Sequence, residues 1–247
     1  MCLNDTHFLI VNFYIIAFTG LTSEIMFDII DKMKKITPII ISVALAGLCL
    51  VGCGSVTPDR EVHNDENAIA EVTLYSTGER GKVEPGLVAC GHAYVSIHNT
   101  SNETIVLGKG YELPEGATVT IASWEFDAHA GVWFNIEPTY IEQGWFVERK
   151  SITRAVDRDA MDRIDEYLKK TETDKWTLTN NCTHFASRLW NAAADGEVDD
   201  VAVKAFPSKL EKEVMRFRGS EKGRPHASDL PIGYFSGNTF VEFKLEK

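Results

Sequence analysis

Positive charge is in short supply in this sequence. Its 25 lysines and arginines face 36 aspartates and glutamates, a formal net charge of −11. Binding nucleic acid means neutralising phosphates, and an acidic balance argues against that partner. Internal repeats, collagen-like tracts and glutamine-rich tracts are all missing, which removes the repeat and low-complexity classes. Cysteine is scarce, five in 247 residues. His92, His129 and His184 do not stand with these cysteines at the short paired spacings of a zinc site, so neither metal nor cofactor is expected. The remaining composition, 44% hydrophobic and 25% charged, suits one globular domain plus extras.

What is present near the N-terminus bears on the compartment. Residues 33–53 read MKKITPIIISVALAGLCLVGC: Met33, Lys34 and Lys35, then an apolar run from Ile36 to Leu50. A charged start before a run of this length is a secretory signal rather than a membrane-spanning helix. The run ends in Leu50-Val51-Gly52-Cys53, which resembles the lipobox of bacterial lipoproteins. That resemblance implies cleavage before Cys53, lipid attachment to it, and an exported domain anchored in the cell envelope. Residues 1–32 lie upstream of a complete signal and read as an over-extended start, a second hydrophobic segment being the alternative, which leaves 33–52 as the signal peptide. The mature chain, 53–247, keeps Cys90 and Cys182 as its unmodified thiols.

Residues 53–70 are polar, without periodicity, and read as a flexible tether to a domain spanning 71–247. Within that domain LVACGHAYVSIHN (87–99) alternates, with Ala93, Val95 and Ile97 on one face and His92, Tyr94, Ser96 and His98 on the other. TIVLG (104–108) reads as the returning strand, followed by ATVTIAS (117–123) and GVWFNIE (131–137). Helical patterns come later. Thr153 is placed as N-cap of a helix running to Lys170 with Val156, Ala160, Ile164 and Leu168 in one stripe. Cys182, Phe185, Ala186, Leu189 and Ala193 share one face of a second helix, and 207–217 forms a third with Pro207 in its first turn. Residues 233–245 read as a hairpin about Gly237-Asn238. Together these elements predict an α+β domain.

NNCTHFASRLW (180–190) puts a cysteine at the start of the second helix, capped by Asn180 or Asn181. Backbone N–H groups in a first helical turn lack intrahelical partners and the dipole there is positive, so a thiolate is stabilised. A thiol nucleophile further needs a base within reach and a group that orients the base. His92, behind Gly91 on the best strand, is the expected base. Glu137 is the expected orienter, with Asn135 as the neutral alternative and Thr104 as a weaker rival. His98 shares the His92 face, but six residues at ~3.3 Å each put it about 20 Å away. Asn181 together with the Cys182 N–H would form the cap and the oxyanion site. His184 is expected on an exposed side of the helix. The tryptophans (124, 133, 145, 176 and 190) read as core, with one or two free to line a cleft.

GHAYVSIHN, followed 90 residues on (182 − 92) by NNCTHFASRLWN, resembles the circularly permuted papain-fold hydrolases. These are relatives of the NlpC-like cell-wall peptidases, and the lecithin retinol acyltransferase group shares the order. The resemblance runs from Leu87 to Leu210. It implies an antiparallel sheet packed on a cysteine-bearing helix. The implied activity is a Cys-His peptidase or amidase acting on a cell-wall peptide, or on a lipid-linked amide or ester. Two other fates stay open for Cys182: an inert core residue, or a disulfide with Cys90, two residues before His92 and only ~7 Å along the strand from it. Either would suit a non-catalytic envelope-binding lipoprotein.

Overall fold

Ala93, Val95 and Ile97 turn one way and His92, Tyr94, Ser96 and His98 the other, and this stretch forms strand β2 (His92–Asn99). The computed structural model describes residues 56–78, 91–144, 149–171, 175–177, 179–194, 199–223 and 229–244. The expected start region 1–32, the signal peptide 33–52, Cys53 and Cys90 lie outside the described residues.

One edge of β2 pairs with β1 (Ala70–Thr77) and the other with β5 (Thr118–Glu125). Beyond β1 come β7 (Lys150–Val156) and the short β8 (Glu221–Lys222). Beyond β5 come β6 (Ala130–Phe134), β9 (Gly233–Ser236) and β10 (Thr239–Glu242). The order is β10-β9-β6-β5-β2-β1-β7-β8, antiparallel at each of these pairings. Gly237, at φ +63°, makes the β9–β10 turn that the sequence places there. Helix α1 (Glu137–Glu142) follows β6, α2 (Arg158–Thr171) follows β7, and α3 (Cys182–Ala193) and α4 (Pro207–Val214) come before the closing hairpin. The domain is thus mixed α+β, a large antiparallel sheet with a few helices.

Helix α3 lies across β2, β1 and β5 and packs beside α2. Phe185, Ala186, Leu189 and Ala193 bury the face that the helical spacing marks out, against Ala93, Val95 and Ile97. Burying each large side chain is worth about 1.5–3 kcal/mol, so this interface fixes where the N-terminus of α3 falls. The polar face of β2 is covered as well. Tyr94 stacks on Tyr75 at 4.7 Å, with Ala122, Trp124 and Ile141 packed about them. Alternation therefore separates two interiors, and His92 is only 3% exposed.

Three expectations need correction. TIVLG does not return along β2, since β1 and β5 fill both its edges; Ile105–Leu107 (β3) pairs with Tyr111–Leu113 (β4) in a separate hairpin. Thr153 caps no helix. It lies inside β7 opposite Thr73, with their hydroxyls 2.9 Å apart, and Asp157 caps α2 by accepting from the Ala160 N–H at 2.9 Å. The β-branched run around it favours strand, and aspartate is the stronger cap. The tether is also shorter than its composition suggests. Within 56–69, His63 N donates to Asp199, Asn64 accepts from Ala155 N, and Ile69 N donates to Val156 O.

Candidate active site

Gly91 sits at φ +78°, and a Cβ there would lie 2.1 Å from the Thr77 carbonyl oxygen. Only glycine fits this close approach to β1, and it sets His92 as the first residue of β2. The cysteine is placed from the opposite direction. Asn181 is extended, and its Oδ1 accepts from the N–H groups of Thr183 (3.0 Å) and His184 (3.3 Å). Asn181 is therefore the cap, whereas Asn180 accepts from Arg188 and donates to Lys175 O. The Asn181 Nδ2 donates to Ala205 O at 2.9 Å, tying the cap to the segment before α4. This leaves Cys182 as the first residue of α3, half-buried, with a free thiol.

The sulfur and the imidazole meet. Cys182 hydrogen-bonds His92, receives the Ala93 backbone N–H, and has Thr183 Oγ1 at 3.9 Å. On the far side of the ring, His92 Nε2 faces Glu137 Oε1 at 3.2 Å. Nδ1 is thereby the nitrogen turned to the sulfur. Glu137 is fully buried, and two further donors hold it: Trp124 Nε1 on Oε1 and Thr120 Oγ1 on Oε2, each at 2.6 Å. A carboxylate out of water with three donors keeps a fixed position. Trp124 also lies against the imidazole, with ring centroids 4.1 Å apart.

Burial pushes the His92 pKa down, but contact with the Cys182 sulfur and the Glu137 carboxylate outweighs it and raises the value to about 9. Burial likewise pushes the Cys182 thiol up. The hydrogen bond and charge of His92, then the Ala93 N–H and Thr183, bring it below the usual thiol value. The two shifts agree in sense, each favouring the charged form of its group, thiolate and imidazolium.

Of the residues the sequence singles out, Cys182, His92, Glu137 and Asn181 come together. Asn135 Nδ2 donates to Leu230 O at 2.8 Å, and the side chain facing His92 Nε2 is that of Glu137. Thr104 is exposed, beyond the far end of β2. His98 bonds Thr118 Oγ1 at 3.0 Å. His184 is half-buried rather than exposed, its Nδ1 3.0 Å from Asn181 Oδ1. Glu137 reaches the site by a route the strand pattern did not contain. The strand ends at Phe134, Asn135 turns the chain at φ +59°, and Glu137 opens α1. Thr120 and Trp124 went unnoticed as its partners; they share one face of β5 with Ala122, at the period-two spacing that could have revealed them. Among the described residues no helix is long and apolar enough to cross a membrane. The chain matches no protein-family model, and searches of curated proteins and of solved structures also find no match.

Proposed function

We propose that this domain is a cysteine hydrolase of the permuted papain-like arrangement, carried on an exported, lipid-anchored chain and cleaving an amide or peptide bond of the cell wall. The observation that carries the reading is the hydrogen-bonded series Cys182–His92–Glu137, with thiol and imidazole shifted toward the charged pair. The order of histidine strand before cysteine helix, on an antiparallel sheet, supports the same reading. The envelope location rests on the Lys34-Lys35 start, the apolar run and Cys53.

The chemistry follows from the positions. The Cys182 thiolate attacks the carbonyl carbon, and the oxyanion lies against the Cys182 N–H at the start of α3. His92 gives its Nδ1 proton to the leaving nitrogen as the C–N bond breaks, leaving an acyl thioester and a neutral imidazole. His92 then takes a proton from water as its oxygen attacks the acyl carbon. The C–S bond breaks, the acid leaves and the thiolate returns. Glu137 holds the ring in one tautomer and balances the imidazolium, a role compatible with its buried, three-donor setting.

Iodoacetamide labelling at neutral pH tests this. Cys182 is expected to alkylate fastest in the folded protein and to slow at least tenfold in His92→Ala, read by mass spectrometry. Labelling indifferent to His92 favours a binding lipoprotein with a silent thiol. Incubation with purified muropeptides then identifies the bond, and Cys182→Ser is expected to abolish turnover.

A further inference from the structure

Among the described residues three large apolar side chains are well exposed, and two of them, Val203 (43%) and Phe206 (62%), stand on the segment tied to the nucleophile. The tie is the Asn181 Nδ2 to Ala205 O bond; Asn181 precedes Cys182 and Ala205 precedes Phe206. A second bond, Ser76 Oγ to Pro207 O at 2.8 Å, holds the next residue to the end of β1, where Thr77 pairs with His92. Since β1 and β5 flank β2 on opposite sides, the backbone of this segment joins the fold at the Asn181 cap and the end of β1, the flank away from the β5 side chains that hold Glu137.

Phe206 is also an unusual choice for its position. It is the N-cap of α4, with no side-chain cap bond, where serine, threonine, aspartate or asparagine would satisfy the first-turn N–H groups. The fold thus forgoes a cap and leaves an aromatic ring in water at the same residue, next to the candidate site. We infer that Phe206 and Val203 form a subsite for an apolar group carried by the acyl part of the substrate. This rests on the hydrolase reading. The segment is bonded to the residue before the nucleophile, and on this proposal the group that stays on sulfur lies on that side, while the leaving group departs with the His92 proton. The substrate class is accordingly an amide or ester with an aliphatic or aromatic group near the scissile carbonyl, rather than a wholly hydrophilic cell-wall peptide.

The test compares p-nitrophenyl hexanoate with p-nitrophenyl acetate on the full chain, as the ratio of kcat/KM. A fully buried methylene is worth about fourfold, and an open platform covers about half of the four extra ones, so wild type is expected to prefer hexanoate roughly tenfold. Phe206→Ser and Val203→Ser are expected to bring the ratio toward one. Serine also supplies the missing cap, so Phe206→Ser is expected to melt at or above wild type. Val106→Ser, at the exposed apolar residue on β3, is expected to keep the wild-type ratio. A wild-type ratio near one, or a ratio unmoved by Phe206→Ser, overturns the inference and leaves the hydrolase standing, provided Cys182→Ser abolishes turnover. Turnover that is absent, or that survives Cys182→Ser, removes the hydrolase reading and this subsite with it.

Discussion

A carboxylate with no exposed surface faces an imidazole at 3.2 Å while a tryptophan and a threonine hold its oxygens in place. Replacing Glu137 by glutamine keeps the shape and removes the charge. Glu137 helps raise the His92 pKa to about 9, so its loss lowers that value. In wild type kcat/KM is expected to rise with thiolate formation and fall through about pH 9 as His92 loses its proton. In Glu137→Gln the alkaline limb moves to lower pH and the active window narrows. The loss in kcat is expected to stay below the roughly 10²–10⁴-fold carried by acid–base catalysis itself, because the ring is still held through a neutral partner. A profile with an unmoved alkaline limb would assign Glu137 to packing alone. At this scale chemistry singled out Cys182, His92 and Glu137, while Thr120 and Trp124, the other partners of the glutamate, went unseen. The route of the glutamate to the site depended on a left-handed turn at Asn135 that no alternation pattern encodes.

Elements were legible where their period was uninterrupted. Cys182 to Ala193 repeats every three to four residues, and the helix begins and ends within those bounds. Pairing was another matter, because a strand's sequence does not say which strand lies beside it. Ile105–Leu107 is a strand as expected, yet the edge of β2 it was meant for belongs to β1 and β5. Thr153 had two competing instructions, a capping side chain and a β-branched run, and the run prevailed. Helix α3 permits a direct test of what its start contributes. Asn181→Ala removes the acceptor for two backbone N–H groups and the tie to Ala205. The cap is worth about 1 kcal/mol, so Tm is expected to fall by roughly 2–4 °C in a domain of this size. The His92 contact to the sulfur is untouched, so labelling of Cys182 is expected to slow less than in His92→Ala. Equal slowing in the two variants would mean that the helix start, not the histidine, activates the thiol.

At the scale of the whole domain, polar composition was a poor guide to where the fold begins. Low hydrophobicity shows that side chains are content in water; it does not show whether backbone and carboxylate groups find partners on a folded surface. Before β1 the chain makes such partners along its course. Asp59 pairs with Arg216 at 2.9 Å, Arg60 lies over the Phe217 ring at 4.4 Å, and Asp65 meets both Arg154 (3.3 Å) and the N–H of Asp157 (3.1 Å). Arg154 is buried, and its other acidic neighbour, Asp199, is 3.6 Å away. Removing one partner of a fully buried pair costs about 3–5 kcal/mol; Asp65 is partly exposed and Asp199 remains, so Asp65→Ala is expected to cost about 2 kcal/mol. Urea unfolding reads this as a lower midpoint at unchanged slope. Glu61→Ala supplies the contrast, since Glu61 is 72% exposed and pairs with the equally open Arg218, so a midpoint close to wild type is expected. If Asp65→Ala is as silent as Glu61→Ala, the segment before β1 contributes nothing to folding and its contacts are incidental. If it is not, the folding unit includes Asp65, and a fragment cut at residue 71 would leave the Arg154 guanidinium without it.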